Sequence, residues 1–148
     1  MHNFLNNVTV LEIKNMTTAS ATGIVETAVH ASAGYESIVA LVRHGTTSTA
    51  NGVQALMGTA SASGGLSEVL NSYIEGISTG QGLELYRPLA YVQFQVVREA
   101  AEKLGDIWVL GIGPRVMPST QAAARFGTRI LGSPTTGQTT STYPVRAS

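Results

Sequence analysis

Cysteine is absent from the 148 residues, which excludes disulfides, thiolate metal sites and a cysteine nucleophile. Charge is scarce too: 12% of residues are charged, against roughly 25% in an ordinary soluble domain. Nine basic and nine acidic side chains cancel, and only Lys14 and Lys103 are lysines. Nucleic-acid modules usually carry a basic face, so no nucleic-acid partner is expected. No run of 18 apolar residues is present, so no transmembrane helix and no membrane partner are expected. Met1 to Lys14 has no basic stretch followed by an apolar one, so no signal peptide is expected. His2, His30 and His44 are isolated and give no metal-ligand spacing. Neither a metal nor another cofactor is expected.

What is present is apolar and hydroxylic. Hydrophobic residues make up 43% of the chain, beside 17 Thr and 13 Ser. That is enough for one domain with a real core. A free surface so poor in charge promotes self-association, so much of it is expected to be covered by other subunits. The dominant period is two, as a half-buried strand requires. Strands are expected at 8–14, 23–29, 36–43, 52–59, 83–86, 89–98 and 106–112, separated by Gly, Ser, Thr and Asn clusters. Short strands at this spacing leave no room for crossover helices and predict an all-β fold, a single antiparallel sandwich or barrel of jelly-roll type. Alternation places Ile38, Ala40, Val42, Val92, Phe94, Val96, Trp108 and Leu110 inside. Leu66 to Ile74 has apolar residues at helical spacing, and Thr120 to Phe126 has the composition of a turn or two of helix.

Few residues combine into chemistry. Leu41-Val42-Arg43-His44-Gly45-Thr46-Thr47 resembles the signature of the histidine phosphatases, where the histidine attacks phosphorus. That reaction needs a second histidine late in the chain, and none follows His44. Gly111-Ile112-Gly113-Pro114 resembles a dinucleotide loop, but Pro114 and Pro118 forbid the helix that would hold a pyrophosphate. Glu99 and Glu102 fall in an expected solvated loop from Arg98 to Leu104. Tyr86, Tyr91, Phe94 and Trp108 would serve a sugar-binding platform if exposed and a core if not. No catalytic residue is assigned, and no enzymatic activity is expected.

Two longer stretches carry a resemblance. They run Leu85-Tyr86-Arg87-Pro88-Leu89-Ala90-Tyr91-Val92-Gln93-Phe94-Gln95-Val96-Val97-Arg98 and Gly105-Asp106-Ile107-Trp108-Val109-Leu110-Gly111-Ile112-Gly113-Pro114-Arg115. With Gly34-Tyr35-Glu36-Ser37 upstream, they resemble the small β-sandwich head proteins of tailed phages, among them the capsid decoration (cement) proteins. The resemblance implies a structural virion protein, made in the host cytoplasm and seated on the outer capsid surface. It implies binding to the major capsid protein and to itself, as a homotrimer or homodimer. A head-completion or tail role and a carbohydrate-binding module are the alternatives. The longer segment from Gly64 to Gly82 and the thirty residues after Pro118 depart from the pattern. Residues 1–118 therefore read as the sandwich with a short N-terminal arm, and 119–148 as an assembly arm. Phe4, Leu5, Arg115, Phe126, Arg129, Ile130, Leu131, Tyr143 and Arg146 are the expected interface residues, apolar or arginine-bearing and outside the strand pattern.

Overall fold

A computed structural model describes residues 7–16 and 19–114, together with the backbone of 129–130 and 142–143. Among them are twelve strands and no α-helix. The strands are β1 (Val8–Lys14), β2 (Ala21–Glu26), β3 (His30–Ala31), β4 (Ser37–Arg43), β5 (Ser48–Gly58), β6 (Ser67–Glu68), β7 (Ile74–Gly76), β8 (Gly80–Tyr86), β9 (Tyr91–Glu102), β10 (Ile107–Ile112), β11 (Arg129–Ile130) and β12 (Thr142–Tyr143). The first sheet has the order β1-β10-β4-β8, and the second β2-β9-β5-β6, with β3 on β9 and β7 on β5. All pairings are antiparallel. From β1 to β10 the chain crosses between the sheets at six of nine connections, and the sheet orders are those of a jelly-roll sandwich.

The core fills the space between the sheets. Ile38, Ala40 and Val42 of β4, Leu83 and Leu85 of β8, and Ile107 and Val109 of β10 face Val53 and Ala55 of β5 and Val92, Phe94 and Val96 of β9. Phe94 is fully buried; replacing such a side chain with alanine costs about 3–5 kcal/mol. The inward set expected on β4 and β9 is the observed one.

β10 is reversed relative to expectation. Ile107 and Val109 point inward, while Trp108 is 38% exposed on the outer face. Leu110 also lies outside the main core, in a second cluster with Val8 and Val10. The cause is at Gly111. A Cβ there would lie 2.5 Å from the Tyr35 ring, so the bare position must sit under that ring, on the side of Ile107 and Val109. Both faces of β10 are apolar, and alternation alone leaves such a strand's orientation open.

Two other expectations change. The helix suggested by Leu66 to Ile74 is replaced by the short strands β6 and β7, joined by a turn with Asn71 at φ 61°. Tertiary pairing overrides the helical spacing: Glu68 pairs with Leu56 and Ile74 with Val53 on β5, and Leu70 is left exposed. The expected loop after Arg98 is the continuation of β9, which runs to Glu102. Residues 120–126 lie outside the described residues.

Candidate functional site

The outer face of the second sheet is mixed: Ile24, 57% exposed, stands beside Val97, and the Tyr73 ring lies over Gly52. On the second sheet, polar side chains hydrogen-bond across the strands. Gln95 Nε2 donates to Glu26 Oε1 at 2.6 Å, and Gln54 Nε2 donates to Gln95 Oε1 at 2.7 Å and to Glu68 Oε1 at 3.3 Å. This row joins β2, β9, β5 and β6 and satisfies its own polar groups.

The outer face of the first sheet is largely apolar. Registers β1–β10, β10–β4 and β4–β8 align Val10, Leu110, Val39 and Glu84 in one row, of which Val10 and Leu110 are buried, and Ile13, Trp108 and Leu41 in another. Leu41 (43%), Trp108 (38%) and Tyr86 (60%) are exposed there, and Arg87 lies over the Tyr86 ring, 5.2 Å from its centre. Beside Trp108 runs a groove of about 750 Å³, lined by Leu41, Arg43, Gly80, Gly82 and Asp106 among others. Asp106 Oδ1 accepts from the Met16 amide at 3.1 Å. Gly80 and Gly82 leave the β8 side of the groove without side chains. A second groove of about 520 Å³ runs along Tyr73, Glu75, Ile77, Gly80 and Gln81. Burial first, then the charges of Glu99 and Glu75, hold the Tyr73 hydroxyl above its ordinary value of 10.0.

The Arg43-His44-Gly45 motif builds a buried polar lock between the sheets. The side chains of His44 and Glu102 are wholly buried, with Nδ1 and Oε1 2.9 Å apart. Gln81 Nε2 donates to the Glu75 carbonyl, which turns Gln81 Oε1 toward His44 Nε2 at 2.7 Å. Both ring nitrogens of His44 are thus within hydrogen-bond distance of a side-chain oxygen. Backbone bonds close the same joint: Gly45 N donates to Lys103 O at 2.7 Å, and Gly105 N to Arg43 O at 2.9 Å. A Cβ on Gly45 would lie 2.3 Å from that Lys103 oxygen. Glu102, expected in solvent, is thus the partner of His44. Glu99 is exposed, as expected.

The sugar platform is not assembled from all four aromatics. Phe94 is in the core, and Tyr91 is on the second sheet. Trp108 and Tyr86 share the outer face of the first, but Tyr86 stands level with Ile112 through Ser37, roughly 13 Å along the strands from Trp108 at ~3.3 Å per residue.

Among the expected assembly residues, Arg129 and Ile130 form β11 and Tyr143 lies in β12, where Arg129 pairs with Tyr143 and Ile130 with Thr142. Phe4, Leu5, Arg115, Phe126, Leu131 and Arg146 lie outside the described residues. The residues missed by sequence reasoning are Leu41 and Val39, which alternation assigns to the outer face without showing that they align with the apolar residues of β10. Their signal was a β4 strand apolar on both sides. No protein family, curated protein or solved structure matches the chain.

Proposed function

We propose that the chain is a structural virion protein, a decoration (cement) protein that sits on the outer surface of a tailed-phage capsid and bridges major capsid subunits. The observation that carries this reading is the contrast between the two outer faces. One sheet carries a self-satisfied polar row beside an exposed Ile24, while the other leaves Leu41, Trp108 and Tyr86 exposed beside the buried cluster of Val8, Val10 and Leu110. Extended apolar patches on a folded domain mark contact surfaces. Jelly rolls recur in capsid proteins and also in lectins, so the fold by itself does not choose between them. The scarcity of charge favours a surface that is covered. The histidine phosphatase signature is better read as structural, because His44 is buried with both ring nitrogens engaged.

The test is sedimentation of the full chain with capsids of the phage that encodes it. The chain should pellet with the particles, and Leu41→Lys should weaken binding by at least ~10-fold, since burying a leucine contributes about 1.5–3 kcal/mol. A chain that stays in the supernatant at micromolar concentration overturns the proposal.

A further inference from the structure

We infer that the outer edge of β8 is the receiving edge for the C-terminal segment of a second copy, whose β11–β12 ribbon adds to the first sheet as further strands. This rests on the assembly reading above and names the self-contact it requires.

The first observation is the edge itself. β8 pairs with β4 over seven consecutive residues, Gly80 to Tyr86, without a register shift. Among the described residues no strand pairs with its other side. Long flat edges are normally blunted by bulges, lysines, prolines or brevity. β2 at the edge of the second sheet has a bulge between Ala21 and Gly23, and β6 and β7 have two and three residues. β8 has no bulge, lysine or proline, and Glu84 is its one charged residue.

The second observation is what flanks the edge. The two grooves share Gly80, Gln81 and Gly82. Leu41 and Trp108 line one, and Tyr73 and Ile77 the other, all four exposed. An added strand sends alternate side chains to opposite faces, so its residues would fall in turn into the two grooves while its backbone bonds to β8. This is the geometry of recognition by strand addition.

The third observation identifies the occupant. Among the described residues, Arg129–Ile130 and Thr142–Tyr143 pair with each other and with neither of the two sheets. An isolated two-stranded ribbon is marginally stable at best and gains stability by joining a larger sheet. Charge points the same way. Residues 107–148 carry four arginines and no acidic residue, whereas residues 1–106 carry five basic side chains and all nine acidic ones. The two parts therefore have formal charges of +4 and −4. Glu75, Glu84 and Asp106 are exposed beside the β8 edge or its grooves, and among the described residues none is in an ion pair. The 34 residues after Pro114 reach up to about 110 Å when extended, ample for a neighbouring copy.

The experiment uses the full chain, with light scattering for mass and the emission of Trp108, the sole tryptophan, for occupancy of the groove. The chain should be oligomeric at ~50 mM salt and dissociate on dilution, with a red shift of Trp108 emission. Raising salt to ~500 mM, which shortens the screening length several-fold, should weaken association at least ~10-fold. Gly80→Lys, at a position where a Cβ meets no atom within 4 Å, should weaken it by as much. So should Arg129→Glu, at a position that lies outside the two sheets of the sandwich in sequence. The two together should recover part of the loss by restoring opposite charges. A chain monomeric up to ~0.1 mM, an oligomer indifferent to both substitutions, or Trp108 emission independent of concentration overturns the inference, the last because the segment would then dock on its own copy. If both variants stay as oligomeric as the wild type while the chain pellets with capsids, this inference fails and the capsid role stands. If they assemble as described but the chain ignores capsids, the reverse holds.

Discussion

His44 and Glu102 form an ion pair or its neutral equivalent in full burial, and neither is a residue the fold can lose singly. Removing one partner of such a pair leaves the other polar group unsatisfied, at a cost of about 3–5 kcal/mol. His44→Ala should lower stability by that amount in urea unfolding, and a second change of Glu102 to leucine should recover part of it. A loss under ~1 kcal/mol would show that the pair carries little. Thr9 is the opposite case. Its hydroxyl is buried with no hydrogen-bond partner among the described residues, on a strand whose neighbour at that level is Gly111. Thr9→Val keeps the shape and removes the orphaned group, which costs about 1–3 kcal/mol when left unmade. The variant should melt a few degrees higher, at about 2–4 °C per kcal/mol for a chain of this size; an unchanged or lower melting temperature contradicts this. Tyr73 gives a pH signature. Its raised folded-state value favours the neutral phenol, so the stability it contributes is intact below pH 10.0 and declines as pH rises through the folded value. Tyr73→Phe should remove that part of the alkaline loss, read as a flatter urea midpoint between pH ~9.5 and ~11.5; an identical alkaline decline in both proteins contradicts it.

At the scale of elements, β1, β4, β9 and β10 were legible because alternation and turn residues bound them closely. β9 shows where that reading stops. Its polar face, Gln93 and Gln95, is visible in the sequence, but its last turn toward Glu102 looks like a loop because Arg98-Glu99-Ala100-Ala101-Glu102 has no alternation of apolar residues. The strand persists there because pairing partners exist: Asn51 Oδ1 accepts from Ala100 N at 2.9 Å, and His44 takes Glu102. β10 shows a second limit. Trp108, Leu110 and Ile112 are as apolar as Ile107 and Val109, and only the fit of Tyr35 over Gly111 decides which set faces in, a contact 76 residues distant in sequence. The same reversal created the candidate contact face, which therefore could not be read from the sequence, although the arginine-bearing C-terminal segment could.

For the molecule as a whole, these parts describe a sandwich with a polar row on one outer face, Leu41, Trp108 and Tyr86 exposed on the other, a β8 edge unpaired among the described residues, and four arginines after Pro114 against nine acidic residues before it. The proposed decoration role needs two kinds of contact, to the shell and to its own copies, and the outer face and the β8 edge offered for them meet at the groove lined by Leu41 and Trp108. The most direct measurement is the number of copies of this chain in purified particles of the encoding phage, determined by quantitative mass spectrometry against the major capsid protein. The account predicts a fixed ratio that survives density banding and falls at least ~10-fold when the phage carries Leu41→Lys. Particles free of the chain, or an unchanged ratio with the substitution in place, would contradict it.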